Sequence, residues 1–319
     1  MNSIGGRQNL VVDQIDVPAP GEGEVLIRVE AAGINFIDVY QREGLYPKQT
    51  PFTLGMEGAG TVVEVGPGGD MPEIGSRVAW AMENGAAAEL AVVGAAQVVP
   101  VPEGVSSIQA AGAMLQGMTA HFLTNSTYAV QPGDAVLVHA AAGGVGQWLV
   151  QMCAAKRAIV VATAGTEAKL DKARSLGATH TINYSGLGSD ELAAAVREAA
   201  GGGVPVAYDG VGRATFDASL ASLRPRGLAV LFGAASGPVP PLELQRLNSG
   251  GSLFVTRPSL THHLATREDL LWRAGEVFAA LASGEVAMEI GGTFGLDQAA
   301  AAYETLEGRA STGKLIFEI

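Results

Sequence analysis

Hydrophobic positions along the chain fall into two rhythms. In the first ~110 residues, short β-rich runs alternate with Gly and Pro: Glu24 to Glu30, Gly60 to Val65, Arg77 to Trp80 and Ala87 to Val93. Val25, Ile27 and Val29 recur with period two, the mark of a half-buried strand. Ser106 with Gln109, ahead of Ala110, Ala111 and Ala113, predicts a capping box that opens a helix. From about residue 119 apolar strands alternate with helices. Strands are predicted at 135–139, 158–162, 204–208 and 229–232, and helices near 145–155, 167–176, 189–200 and 214–223. The runs AVLVH, IVVAT and LAVLF are apolar throughout, as strands buried on both faces are. Repeated βαβ units predict a parallel, doubly wound sheet. Thr266 with Asp269 marks a further helix running to about Ala282. The fold class is therefore α/β, a β-rich domain joined to a doubly wound one.

Composition narrows the function classes. The 319 residues carry 20 Lys+Arg against 32 Asp+Glu, a formal net charge of −12, which argues against nucleic acid or an anionic membrane as principal partner. Hydrophobic residues make up 48% and charged residues 16%, enough core for a folded chain and against intrinsic disorder. The longest uncharged stretch, Ala135 to Ala155, contains His139, Gln147, Gln151 and Gly143-Gly144, which suit strand–turn–helix better than a membrane helix. No targeting segment is visible, and a cytoplasmic location is expected. One cysteine, Cys153, rules out an intramolecular disulfide and any site of two thiolates.

The chemistry-bearing segment follows the strand at 135–139. Ala141-Ala142-Gly143-Gly144-Val145-Gly146 fits G-x-G-x-x-G with Ala141 in the first glycine's place, between a predicted strand and a predicted helix. Gly143 would let backbone approach a pyrophosphate, and Gly146 would let helix and strand pack closely. The helix start would present N–H groups to the phosphates. A dinucleotide site is expected at Ala142, Gly143, Gly144, Val145 and Gly146. An NAD site wants a carboxylate about 20 residues on, at the end of the second strand. Here the strand runs into Ala162-Thr163-Ala164-Gly165-Thr166 without an acid. Lys169 and Tyr184, with Thr166, are candidates to meet a 2′-phosphate, so NADPH is the expected cofactor; a solvated helix face is the other reading of Lys169.

Gly33-Ile34-Asn35-Phe36-Ile37-Asp38, Gly44-Leu45-Tyr46-Pro47, Leu54 to Gly60, the His139 to Gly146 turn, Tyr208 to Gly212, Phe254 to Pro258 and Gly313-Lys314 occur in order along nearly the whole chain. In them the sequence resembles the zinc-independent quinone oxidoreductases, the zeta-crystallin-like branch of the medium-chain dehydrogenase/reductases. The resemblance implies a GroES-like substrate domain from 1–118 and 258–319, and a Rossmann NADPH-binding domain from 119–257. It also implies a homodimer through sheet edges near Leu253 to Thr256.

Asn35 and Met56 stand where zinc-dependent relatives carry Cys and His. An amide and a thioether do not make a zinc Lewis-acid site. No metal is expected, and the acceptor should be one whose own conjugation takes up electrons, a quinone or an enone. The resemblance places Asn35 at the nicotinamide end of the cofactor, with turn-capping as its other reading. Tyr40 and Tyr46 would flank the acceptor, by stacking or by proton donation; ordinary packing is the alternative. Thr119, Phe232, Gly233, Ser236 and Arg309 would contact the cofactor, although Thr119 also suits a helix interior and Arg309 a surface salt bridge. His139 reads as a hydrogen-bonded core histidine and Cys153 as packing. Relatives usually begin with one more short strand, carry Thr or Ser at Met56 and Lys at Gln116. Three functions stand open: an NADPH-dependent quinone reductase acting by hydride or single-electron transfer, a reductase of enones, enals or enoyl thioesters, and a non-catalytic NADPH-binding protein.

Overall fold

The structure, a computed structural model, describes residues 1–308 and 312–319. No strand precedes Glu24 among the described residues. The chain then runs through β1 (Glu24–Gly33), α1 (Phe36–Arg42), β2 (Glu57–Val65), β3 (Arg77–Ala81), β4 (Leu90–Gly94), β5 (Val99–Pro100) and α2 (Ser107–Phe122). The capping box at the start of α2 is present. The Ser106 N–H donates to Gln109 Oε1 at 3.0 Å and the Gln109 N–H to Ser106 Oγ at 3.2 Å.

Strand and helix then alternate: β6 (Ala135–Val138), α3 (Gly144–Ala155), β7 (Ile159–Ala164), α4 (Glu167–Ser175), β8 (His180–Asn183), α5 (Ser189–Ala199), β9 (Val204–Asp209), α6 (Phe216–Ser222) and β10 (Leu223–Leu231). After α7 (Gln245–Ser249), β11 (Phe254–Thr256) and α8 (Leu260–His263) come α9 (Arg267–Ser283), β12 (Ile290–Phe294), α10 (Ala299–Glu307) and β13 (Lys314–Glu318). Thr266 caps α9 as its sequence predicts, its hydroxyl accepting from the Asp269 N–H at 3.1 Å.

Two compact units result, one from Met1–Met118 with His263–Ile319 and one from Thr119–His262. The first is built on a seven-stranded sheet of order β12-β13-β1-β2-β3-β5, with β4 pairing β1. β1 is buried at seven of its ten positions, with Arg28 exposed and Glu24 and Glu30 half-buried. Leu26 and Ala32, out of phase with Val25, Ile27 and Val29, are buried as well, so the strand is more covered than its period-two pattern predicts. The second unit holds a six-stranded sheet of order β11-β10-β9-β6-β7-β8, every pair parallel. Val204 to Asp209 is buried at every position, as expected for a strand covered on both faces. The hydrogen-bonded neighbours β6 and β9 are where the strand order reverses, the place at which open α/β sheets take ligands.

Candidate active site

In the second unit the glycine turn leaves β6 through His139 and Ala140. Ala140 adopts φ 49°, a left-handed conformation unusual for a residue with a Cβ. That twist turns its carbonyl onto the Gly143 N–H at 2.8 Å and against Gly146. A Cβ on Gly146 would lie 2.3 Å from the Ala140 oxygen, so only glycine lets α3 start this close to β6. The first helical bond runs from the Gln147 N–H to the Gly143 carbonyl at 2.9 Å, and no side chain caps the helix. The N–H groups of Gly144, Val145 and Gly146 thus head an uncapped twelve-residue helix, while Gly143 is exposed. This is a donor set suited to an anionic pyrophosphate.

The adjacent strand ends converge on the turn. His139 is buried, with Nδ1 2.7 Å from Thr163 Oγ1 on β7, and burial pushes its pKa below the ordinary histidine value. It is therefore a neutral core histidine at neutral pH. Asp209, ending β9, accepts from the N–H groups of Val211 and Gly212 at 2.8 and 2.9 Å and from the Thr215 and Ser219 hydroxyls at 2.8 Å. The loop it holds packs against the loop after β10. The Phe232 ring and Gly233 lie so close to Gly210 that a Cβ on either glycine would come within 2.7 Å of the other loop. The Ser236 hydroxyl donates to the Val211 carbonyl and accepts from the Ala214 N–H. Phe232, Gly233 and Ser236 are thus brought together on the carboxyl side of the parallel sheet, with the Ser236 hydroxyl already engaged in joining the loops.

At the end of β7, Thr166 caps α4 by accepting from the Lys169 N–H at 3.4 Å. Lys169 is half-buried in the first turn of that helix. Tyr184 donates its N–H to the Ala164 carbonyl at 3.1 Å, and its ring lies 3.5 Å from where a Cβ on Gly165 would sit. Ser185, which sequence reasoning passed over, joins the group by donating to the Gly165 carbonyl at 2.7 Å. Glu167, the acid nearest the strand end, is engaged by Asn183 at 3.3 Å and Arg174 at 3.6 Å. Thr166, Lys169 and Tyr184 therefore gather at one strand end. Thr119 is buried within α2, and Arg309 lies outside the described residues.

In the first unit Asn35 is the N-cap of α1, and its side chain is engaged by groups outside that helix. Its Oδ1 accepts from Lys314 Nζ at 2.8 Å and Gln116 Nε2 at 3.2 Å. Its Nδ2 donates to Glu57 Oε1 at 2.8 Å and the Gly33 carbonyl at 3.3 Å. Lys314 also donates to Glu57 Oε1 at 2.5 Å and the Ile34 carbonyl at 3.1 Å, and Glu57 Oε2 accepts from the Leu115 N–H at 2.6 Å. Asp38, fully buried, takes over at the helix start: its Oδ2 accepts from the Asn35 N–H at 2.8 Å and the Tyr303 hydroxyl at 3.1 Å. Burial raises the Asp38 pKa to about 7, against the lowering effect of the Asn35 hydrogen bond and the Lys314 charge. Tyr40 and Tyr46 meet edge to face at a centroid distance of 5.4 Å, with Phe36 6.3 Å from Tyr40. Tyr46 is 39% exposed, so this aromatic pair keeps ring surface open to solvent. Cys153 is buried in α3, where desolvation pushes its thiol up to about 12.

Residues 21–103 match the Alcohol dehydrogenase GroES-like domain and residues 144–269 the Zinc-binding dehydrogenase family. The chain is 41% identical to the quinone oxidoreductase of Pseudomonas aeruginosa over 98% of this chain and 97% of that protein. It is 39% identical to the 2-haloacrylate reductase of a Burkholderia species, over 98% of this chain and 96% of the relative. Among solved structures, a mycobacterial protein complexed with NADPH superposes with a TM-score of 0.96 at 46% identity, covering 100% of this chain and 98% of that one.

Proposed function

The chain belongs to the quinone oxidoreductases of the medium-chain dehydrogenase/reductase superfamily, and on that premise we propose that its acceptor is a quinone reduced at an aromatic site. It is an NADPH-dependent oxidoreductase. The residues present suit that cofactor. The uncapped start of α3 and the cradle at Gly146, which a Cβ would fill, fit the pyrophosphate. The acid-free end of β7, with Thr166, Lys169 and Tyr184 gathered there, fits a 2′-phosphate better than a bare 2′-hydroxyl. Thr119, Phe232, Gly233 and Ser236 are assigned to the remainder of the cofactor. When bound, NADPH supplies reducing equivalents from its nicotinamide ring.

The chain's own task is then to orient and to exclude water, which in well-aligned cases contributes roughly 7–11 kcal/mol. Tyr40 and Tyr46 offer ring surface on which a planar acceptor stacks, and either hydroxyl is a proton source for the reduced quinone. Asn35 has both amide valences engaged, so its role is to shape the site rather than to donate freely. What carries the quinone reading is this aromatic surface in a unit whose buried polar cluster is an amide, a carboxylate and an ammonium. That cluster lacks the imidazole or thiolate with which a metal would polarise an isolated carbonyl. The 2-haloacrylate reductase relative favours a second reading, an activated alkene as acceptor.

Beyond the reaction, β11 ends the six-stranded sheet with Phe254 59% exposed, which supports a homodimer joined edge to edge there. No helix among the described residues is long and apolar enough to cross a membrane, in keeping with a cytoplasmic enzyme. Initial rates of NADPH oxidation with quinones, 2-enals, 2-haloacrylates and enoyl thioesters test the proposal. Highest kcat/KM on quinones supports it, and saturable NADPH binding with no turnover of any acceptor overturns it.

A further inference from the structure

The buried ammonium of Lys314 has no role toward a reactant in the reading above, yet it sits at the centre of a polar cluster in the first unit. Three neighbours receive its three protons: the Glu57 carboxylate at 2.5 Å, Asn35 Oδ1 at 2.8 Å and the Ile34 carbonyl at 3.1 Å. Both side chains of the ion pair are almost wholly removed from solvent, Lys314 at 1% and Glu57 at 0%. The backbone is shaped to admit them. A Cβ on Gly33 would fall 2.2 Å from Glu57 Oε1, and one on Gly112 would fall 3.1 Å from Lys314 Cγ.

The pattern fixes Asn35 in one orientation. Its oxygen faces two donors, Lys314 and Gln116, and its nitrogen faces two acceptors, Glu57 and the Gly33 carbonyl. Flipping the amide would set NH2 against an ammonium and C=O against a carboxylate. The same residue begins α1, where its backbone N–H is held by Asp38. From that anchor α1 carries Tyr40 one helical turn along.

We propose that Lys314 is a positioning residue for the reaction. Together with Glu57 it locks the Asn35 amide and, through Asn35, the start of the helix that presents Tyr40. This inference rests on the reading of Tyr40 as an acceptor contact. Lys314 touches no reactant and acts through Asn35 alone.

Lys314→Met by itself strands a buried carboxylate and risks failure to fold, so the informative protein is the charge-neutral double variant Lys314→Met with Glu57→Gln. It loses the ammonium and leaves one oxygen at position 57 to serve two donors, Asn35 Nδ2 and the Leu115 N–H. Two measurements are made on it. Backbone amide exchange of the cofactor-free protein should speed at least tenfold across 36–42 and stay unchanged in β6 to β9. Quinone turnover should lose at least tenfold in kcat, while the NADPH dissociation constant stays within twofold of the parent. Unchanged exchange in α1 overturns the proposal. So does kcat within twofold of the parent, because the cluster would then be structural only. Failure of the quinone reading is distinguished by the parent enzyme itself, which would show no quinone turnover; in that case the exchange measurement alone decides whether Lys314 holds α1.

Discussion

Asp38 ties stability to pH in a direction opposite to that of most carboxylates. Its side chain is fully buried, Oδ2 accepts two hydrogen bonds, and Oδ1 has no partner. Burial raises its pKa from the ordinary 3.8 to about 7. A rise of roughly three units at 1.36 kcal/mol each corresponds to about 4 kcal/mol of preference for the protonated form in the folded state. Between pH 4 and pH 7 the native chain holds a proton that the unfolded chain releases, so this group's contribution falls as pH rises and levels off above 7. Asp38→Asn removes the titration and keeps an oxygen to accept from the Asn35 N–H. Its added NH2 takes the place of the unpartnered Oδ1. Urea unfolding of the parent and the variant from pH 4 to 8.5, without cofactor, isolates the effect because other titrating groups cancel in the difference. The variant should gain on the parent progressively from pH 4 to 7, by as much as about 4 kcal/mol, with no further change above 7. A difference that stays flat across the range would refute the burial argument.

Three further outcomes follow from single positions. Gly146→Ala places a Cβ 2.3 Å from the Ala140 oxygen, which forces α3 away from β6. It should cost about 1–3 kcal/mol in unfolding free energy and weaken NADPH binding in a fluorescence titration. Lys169→Ala removes the cation at the end of β7; a lost hydrogen bond to a charged group is worth about 1.5–3 kcal/mol. KM for NADPH should therefore rise at least tenfold while KM for NADH stays within twofold. Cys153, with its thiol pushed up to about 12 and no exposure, should react with Ellman's reagent only when the protein unfolds. Prompt colour from native protein would contradict its placement.

Local signals were the legible ones. The helix starts at Ser106–Gln109 and Thr266–Asp269 were readable because each depends on residues three apart. The turn from His139 to Gly146 was readable because strand, glycines and helix are contiguous. β8 escaped the hydrophobic pattern because His180–Asn183 is a polar strand at the sheet edge, with no residue fully buried. The first half of β10 escaped too, since Arg224, Pro225 and Arg226 interrupt its apolar run. The Lys314 cluster was out of reach for a different reason. Lys314 lies 279 residues from Asn35 and 257 from Glu57, and no periodicity connects them. Tyr303 and Asp38 are 265 apart. The sequence marked Asn35 and Lys314 only through resemblance; the reason for those residue types is the burial that pairs them. Ser185 lacked a signal of its own, and only the closeness of β8 to the end of β7 gives it a role.

The most direct measurement is the initial rate of cofactor oxidation at 340 nm with 1,4-benzoquinone, above the uncatalysed background, for NADPH and NADH in parallel. A site with Lys169 and Tyr184 at the end of β7 and no acid there should give saturable quinone-dependent oxidation with kcat/KM at least tenfold higher for NADPH. Equal or greater efficiency with NADH, or no quinone-dependent rate with either, would contradict the account.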